Sequence, residues 1–361
     1  GDIDDDYGDY ADRVLLGLKL YGVYIFAAYD FVYSGFTTDS HNDMFGQPKD
    51  LGSDDDVQQG ILTVFQRPLS TEEKAKREVE FREEFKPMID WGFYGVYRSQ
   101  NFDYEADEYD FWYEQGGYTG NNYDEVFLMP RHAWALATDV WFRYQQRFGY
   151  FSGLRVEAEA VGVFGEIGHA TDDVTATTQN REIRQFGLAV EVEYDRKELT
   201  VGVHTGLASG DSAEGFGLQG KPVIGDDDGP NQLVSAFKFD RNYHVDMLLF
   251  REMIGTITNA YYLRPYIAYD LFDSVEDALG ARLDIVYGHS LAPKATPGDD
   301  PRLGLEFDLS LFYEEKGRFN LDLETGLMIP FDGFAFIDAN RVVHRPKDVA
   351  FTFQARMTLQ F

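Results

Sequence analysis

The chain has no cysteine among its 361 residues, which excludes a disulfide framework and any thiolate metal centre. It also has no apolar run approaching the roughly 18 residues that a membrane-spanning helix needs. A helical membrane protein is thereby excluded. Positive charge is scarce: 32 Lys and Arg stand against 63 Asp and Glu, for a net charge of −31. So acidic a surface repels phosphate backbones, and a nucleic acid is not an expected partner. Residues 1–12, GDIDDDYGDYAD, carry neither the basic start nor the apolar stretch of a secretory leader. If the protein is exported, its leader is not part of this sequence.

What is present in quantity is Phe (30), Tyr (23) and Gly (35). The apolar residues are spread over many short alternating segments, the pattern of a chain that crosses a bilayer with strands. In 302–315, Leu303, Leu305, Phe307, Leu309, Leu311 and Tyr313 share one face, while Glu306, Asp308 and Ser310 share the other. The segment 317–329 answers it, with Phe319, Leu321, Leu323, Leu327 and Ile329 alternating with Asn320, Asp322 and Glu324. Read this way throughout, the chain predicts fifteen strands, near 12–20, 22–34, 59–67, 88–103, 134–147, 151–166, 181–195, 197–208, 231–240, 243–253, 259–272, 277–290, 302–315, 317–329 and 350–361.

Tight turns alternate with long acidic connections, as they do in outer-membrane barrels with short periplasmic turns and long extracellular loops. Two connections break the alternation: 254–258 is short where a long loop is due, and 68–87 is long where a turn is due. For the latter, Ser70 and Glu73 form a capping-box start, which predicts a short periplasmic helix within 70–86. The last strand, FTFQARMTLQF, places Phe353, Met357, Leu359 and Phe361 on one face and ends in an aromatic residue. This ending resembles the assembly signal of outer-membrane barrels and implies the outer-membrane assembly machinery as a transient partner. With that strand directed toward the periplasm, the first strand runs the same way. Because single-chain bacterial barrels have even strand numbers, the expectation is 16 strands, one of them ahead of Gly1. A soluble β-sandwich shows the same alternation, but strands this long exceed its usual length.

The polar rows predict the lumen lining: Arg155, Glu157 and Glu159; Glu191 and Glu193; Arg282 and Asp284; Glu306 and Asp308; Asp322 and Glu324. Their acid excess favours cations in an open lumen; a plugged, salt-bridged lumen is the alternative. The motif GFGLQG at 215–220 has dinucleotide spacing, yet KP and GDDDGP follow it instead of a helix, so it reads as a glycine-rich loop. Gly210, Asp211 and Ser212 look like an esterase nucleophile block, but nothing marks a base for Ser212, and no catalytic residue is assigned. No cofactor is expected. Weak divalent cation binding at Asp4, Asp5 and Asp6 or at Asp226, Asp227 and Asp228 would bridge loops to lipopolysaccharide.

Three stretches carry a resemblance: FDRNYHVDMLLFREMIGTITNAYYLRP at 239–265, ASGD at 208–211 and DWGFYGVYRSQ at 90–100. Together they resemble a family of porin-like outer-membrane β-barrel proteins of myxobacteria and related predatory bacteria, with the likeness spanning most of the chain. The resemblance implies an outer-membrane location, contact with outer-membrane lipids, and longer relatives that carry a leader and an extra leading segment. A looser likeness to ring-forming barrels that enclose lipid implies a homo-oligomer. The family supplies no role for His244, Asp246, Arg251 and Glu252, which read as polar groups on the strand after the 240–242 turn. Three functions follow as expectations: a passive, cation-preferring pore for small hydrophilic solutes, a lipid-organising oligomer, or a barrel hydrolase.

Overall fold

The computed structural model describes residues 11–32, 57–104, 128–169, 180–217, 233–274, 277–315, 317–337, 343–346 and 348–359. The acidic runs at 4–6 and 226–228, and the terminal Phe361, lie outside the described residues. Thirteen strands follow one another in an antiparallel meander. They are β1 (Ala11–Leu20), β2 (Val23–Val32), β3 (Val57–Gln66), β4 (Met88–Tyr104), β5 (Leu128–Arg147), β6 (Ser152–Ile167) and β7 (Arg181–Arg196). They continue as β8 (Leu199–Ala208), β9 (Ala260–Asp273), β10 (Asp277–Ser290), β11 (Arg302–Glu315), β12 (Phe319–Pro330) and β13 (Ala350–Leu359). The fold is all-β and of the up-and-down barrel type, with each strand pairing the next in sequence order. Among the described residues no ladder joins β1 to β13. Those two strands run in the same direction.

Local chemistry explains the hairpins. Tyr21 and Gly22 both have positive φ (49° and 85°) between β1 and β2, the pair of left-handed residues that a two-residue hairpin needs to match strand twist. Lys197 (φ 53°) and Gly317 (φ 77°) mark the turns after β7 and β11. These turns share one end of the sheet with helix α1 (Thr71–Glu83). The helix starts where Ser70 Oγ accepts the Glu73 N–H at 3.2 Å, satisfying one of the first-turn donors that have no partner within the helix. It is tied to the sheet by Arg77, whose Nη1 meets Asp90 Oδ1 at 2.5 Å, and by Glu73, which pairs with Lys19 of β1 at 2.5 Å.

The two expected strands at 231–240 and 243–253 do not form. Of the first, among the described residues, only Leu233–Val234 adds to the sheet, parallel to β7, and the second is mostly irregular, ending in a π-helical turn, Leu249–Ile254. The described residues 209–217 and 233–259 therefore belong to one long connection on the loop side, and the irregularity at 254–258 disappears. This connection closes on itself where Phe239 N–H donates to Ile257 O at 3.0 Å. Its apolar side chains Val245, Met247, Leu248, Leu249, Phe250 and Ile257 are buried together with Tyr262 of β9, Val286 of β10, Leu303 of β11 and Met328 of β12. The main apolar core thus lies on the concave side of the sheet. At roughly 1.5–3 kcal/mol for each large side chain taken from water, this burial fixes the segment against the wall.

Opposite lies the other face of every long strand. Leu16, Phe31, Leu62, Val140, Val201, Ile267, Leu283, Leu309, Leu327 and Phe351 all lie on it and are exposed, Leu16 at 73% and Phe351 at 67%. Registers carry this face unbroken from strand to strand.

Candidate functional site

Alternation decides which side chains reach the concave face, because successive residues of a strand point to opposite sides. All eleven predicted lining residues fall there. Arg155 stands opposite Glu193, and Glu157 opposite Glu191, across β6 and β7; Glu159 continues the same row. Asp284 faces Asp308, and Arg282 faces Ser310, across β10 and β11. Glu324 faces Ser310 across β11 and β12, with Asp322 two residues before it.

Arg155, Glu157, Glu191, Arg282 and Asp284 form ion-pair clusters more than an open row of like charge. Arg155 bonds Glu157 at 2.6 Å and Glu191 at 2.8 Å. Arg282 makes a two-bond fork with Asp284, both at 2.8 Å, and its guanidinium lies 3.7 Å from the centre of the Tyr266 ring. Arg264, not anticipated from the sequence, joins Asp284 from β9 at 2.7 Å. Tyr266 in turn bonds Glu193. Gly202 and Gly206 on β8 make room for this stack, since a Cβ at either would overlap the Tyr266 or Tyr262 ring.

Two of the predicted lining residues occupy a different setting. Glu306 and Asp308 are buried, the former completely, because the 209–259 connection lies over them. Glu306 accepts three consecutive backbone N–H groups, from Met247 at 2.9 Å, Leu248 at 2.8 Å and Leu249 at 2.8 Å. A carboxylate that takes a row of N–H donors offsets its loss of water with charge-assisted bonds. Asp246 does the same within the connection, accepting from Phe250 at 2.5 Å and Arg251 at 3.2 Å. Burial, then the charge of Glu306, pushes the Asp246 carboxyl up to about 7. Tyr243 donates to Glu191 at 3.3 Å and meets the Tyr262 hydroxyl at 2.8 Å; burial pushes its hydroxyl up to about 12, so it stays protonated.

The residues flagged without a role now separate. Asp246 organises the in-folded turn, whereas Arg251 and Glu252 pair only loosely at 3.7 Å. His244 has a lowered pKa, first from burial and then from Arg251. None of them sits on a strand. Asp211 is buried and accepts from Ala213 N–H at 3.0 Å, Ser235 N–H at 3.2 Å and the Ser235 hydroxyl at 3.1 Å. It ties the entry of the connection to Ser235, midway along it. Phe216 of the glycine-rich loop packs on Phe334 at 5.5 Å between ring centres.

A cavity of about 500 Å³ opens on the concave face below Glu306 and Asp308, lined by Arg264, Arg282, Asp284, Ser310, Asp322 and Glu324 among others. On the far side of the sheet interior, Asp30 is buried between Arg13, at 2.6 Å, and Gln59, at 2.7 Å. Asp90 likewise receives Arg143, at 3.0 Å, besides Arg77. The sequence reading did not include these clusters, though Arg13, Asp30 and Asp90 keep the strand period that would place them inward.

No protein-family model and no curated protein matches the chain. Among solved structures, CdiB from Escherichia coli is similar at 10% identity and a TM-score of 0.30, over 96% of this chain and 59% of that chain. The present chain thus spans about three fifths of CdiB's length. At that looseness of superposition no function passes from one to the other.

Proposed function

We propose that the protein is an outer-membrane β-barrel whose lumen passes small hydrophilic solutes and is narrowed on the loop side by the 209–259 connection. The observation that carries this reading is the pairing of a charge-free apolar outer face with an ion-paired inner one. On β11 and β12 the outward rows from Leu305 to Tyr313 and from Leu321 to Ile329 contain no charge. A basic residue at a bilayer midplane costs roughly 2–4 kcal/mol, so a lipid-facing surface has this composition and a wet one has no need of it. The inner charges need water or partners, and Arg13, Arg143, Arg155, Arg264 and Arg282 each have a carboxylate partner.

The inner face holds more guanidinium than the sequence rows indicated, Arg264, Arg143 and Arg13 included. Cation preference is therefore expected to be modest. Planar-bilayer recording of the purified protein tests the reading. Discrete conductance steps with a reversal potential displaced slightly toward cations are expected. A protein that inserts yet conducts nothing, or that prefers anions, contradicts the pore.

A further inference from the structure

The cavity below the in-folded connection has an unusual charge arrangement. Arg264 and Arg282 both lean on one carboxylate, Asp284, while Glu314, Asp322 and Glu324 line the rest of the cavity. Asp284 uses Nε and Nη2 of Arg282, leaving Nη1 of that guanidinium outside the fork. Two strands away is Glu324. Its neighbours in register are Ser310 on β11 and Gln354 on β13, both neutral, and among the described residues its side chain takes part in no hydrogen bond or ion pair. Asp322 differs, because Arg356 stands opposite it.

Arg282, Ser310 and Glu324 lie in one row across β10, β11 and β12. Two strand spacings put the Cα atoms of Arg282 and Glu324 about 10 Å apart. The serine between them is too short to fill the gap, and Arg282 is held back by Asp284 and the Tyr266 ring. The Arg282 guanidinium and the Glu324 carboxylate thus face the same space of about 500 Å³, within the roughly 300–1,000 Å³ range of small-molecule sites.

We propose that this cavity binds a small zwitterion of amino-acid or dipeptide size, with its carboxylate on Arg282 and its ammonium on Glu324. The inference deepens the pore reading by naming a solute class, and it rests on that reading only for passage, not for binding. A single-charge solute satisfies one end and leaves the other charge without a partner. A charge-assisted bond to the Nη1 of Arg282 that lies outside the fork and an ion pair with the Glu324 carboxylate act together, so loss of either is expected to weaken binding at least about tenfold.

Equilibrium dialysis of the folded, detergent-solubilised protein with radiolabelled glycylglycine tests this, with N-acetylglycylglycine and glycylglycinamide as single-charge controls. Glycylglycine is expected to bind, and each control to bind at least about tenfold more weakly. Glu324→Gln, which breaks no side-chain hydrogen bond or ion pair among the described residues, is expected to remove the preference for glycylglycine over the N-acetyl form. Arg282→Gln is expected to remove the preference over the amide. Equal binding of all three probes, or no glycylglycine binding by folded protein, overturns the site. Conductance in potassium chloride is measured separately on the same preparation. Conductance without zwitterion binding removes the site and keeps the pore, whereas binding without conductance keeps the site and removes the pore.

Discussion

Glu306 has no exposure to water, yet it holds three N–H donors of a segment more than fifty residues away in sequence. Replacing its carboxylate by an amide turns one acceptor into a donor facing other donors and removes the charge. Breaking a buried, charge-assisted cluster of this kind costs about 3–5 kcal/mol. Glu306→Gln is therefore expected to release the in-folded segment, raising protease cleavage at Arg251 several-fold and increasing conductance. Unchanged cleavage contradicts the role given to Glu306. Asp246 adds a pH dependence. Its carboxyl is raised from 3.8 to about 7 when docked, so the docked form holds a proton that the undocked form has released within that window. Docking is then tightest below the window, weakens as pH rises through it, and levels off above about 7. Amide-exchange protection at Phe250 and Arg251, corrected for intrinsic rates, is expected to fall over this range and to lose its slope in Asp246→Asn. Protection that rises with pH counts against this assignment.

At the scale of elements, what alternation can report is a strand with one wet and one apolar face. It located every long strand to within two residues at each end, save the start of β5, because each has both faces in place along its length. It failed at 243–253 for a physical reason. Val245, Met247 and Leu249 recur at period two, but here burial comes from packing inside the curved sheet, where an irregular segment meets the same apolar demand. The run Met247, Leu248, Leu249, Phe250 breaks the alternation, and the misplaced short connection at 254–258 was the second visible sign. Helix α1 was legible because a cap is a local signal, complete within Ser70 and Glu73. The partners Arg264 and Tyr266 were not, since an ion pair across strands depends on register. The element-scale prediction concerns β11. Leu309→Arg, on the outer face, is expected to lower the stability of bilayer-folded protein by roughly 2–4 kcal/mol. Ser310→Arg, on the inner face, is expected to cost much less. Equal cost at both positions, read from denaturant titration in vesicles, contradicts the face assignment.

For the whole molecule, the thirteen long strands divide one apolar exterior from one charged interior, and 209–259 fills part of that interior with the main apolar core. The change from fifteen expected strands to thirteen leaves their directions intact, since both numbers are odd and β13 still runs parallel to β1. The core inside the curve also accounts for how an acidic chain with modest hydropathy folds: apolar residues are divided between an exposed outer band and the packed inner segment, so neither forms a long run in sequence. The absence of native cysteine permits a direct test of the central division between faces. Single cysteines placed in turn at 305–313 on β11 would be exposed to a membrane-impermeant maleimide in reconstituted vesicles. The account predicts that 305, 307, 309, 311 and 313 resist the aqueous reagent and respond to a lipid-borne quencher, while 310 and 312 label from water. Uniform labelling along the strand, or the opposite alternation, would contradict it.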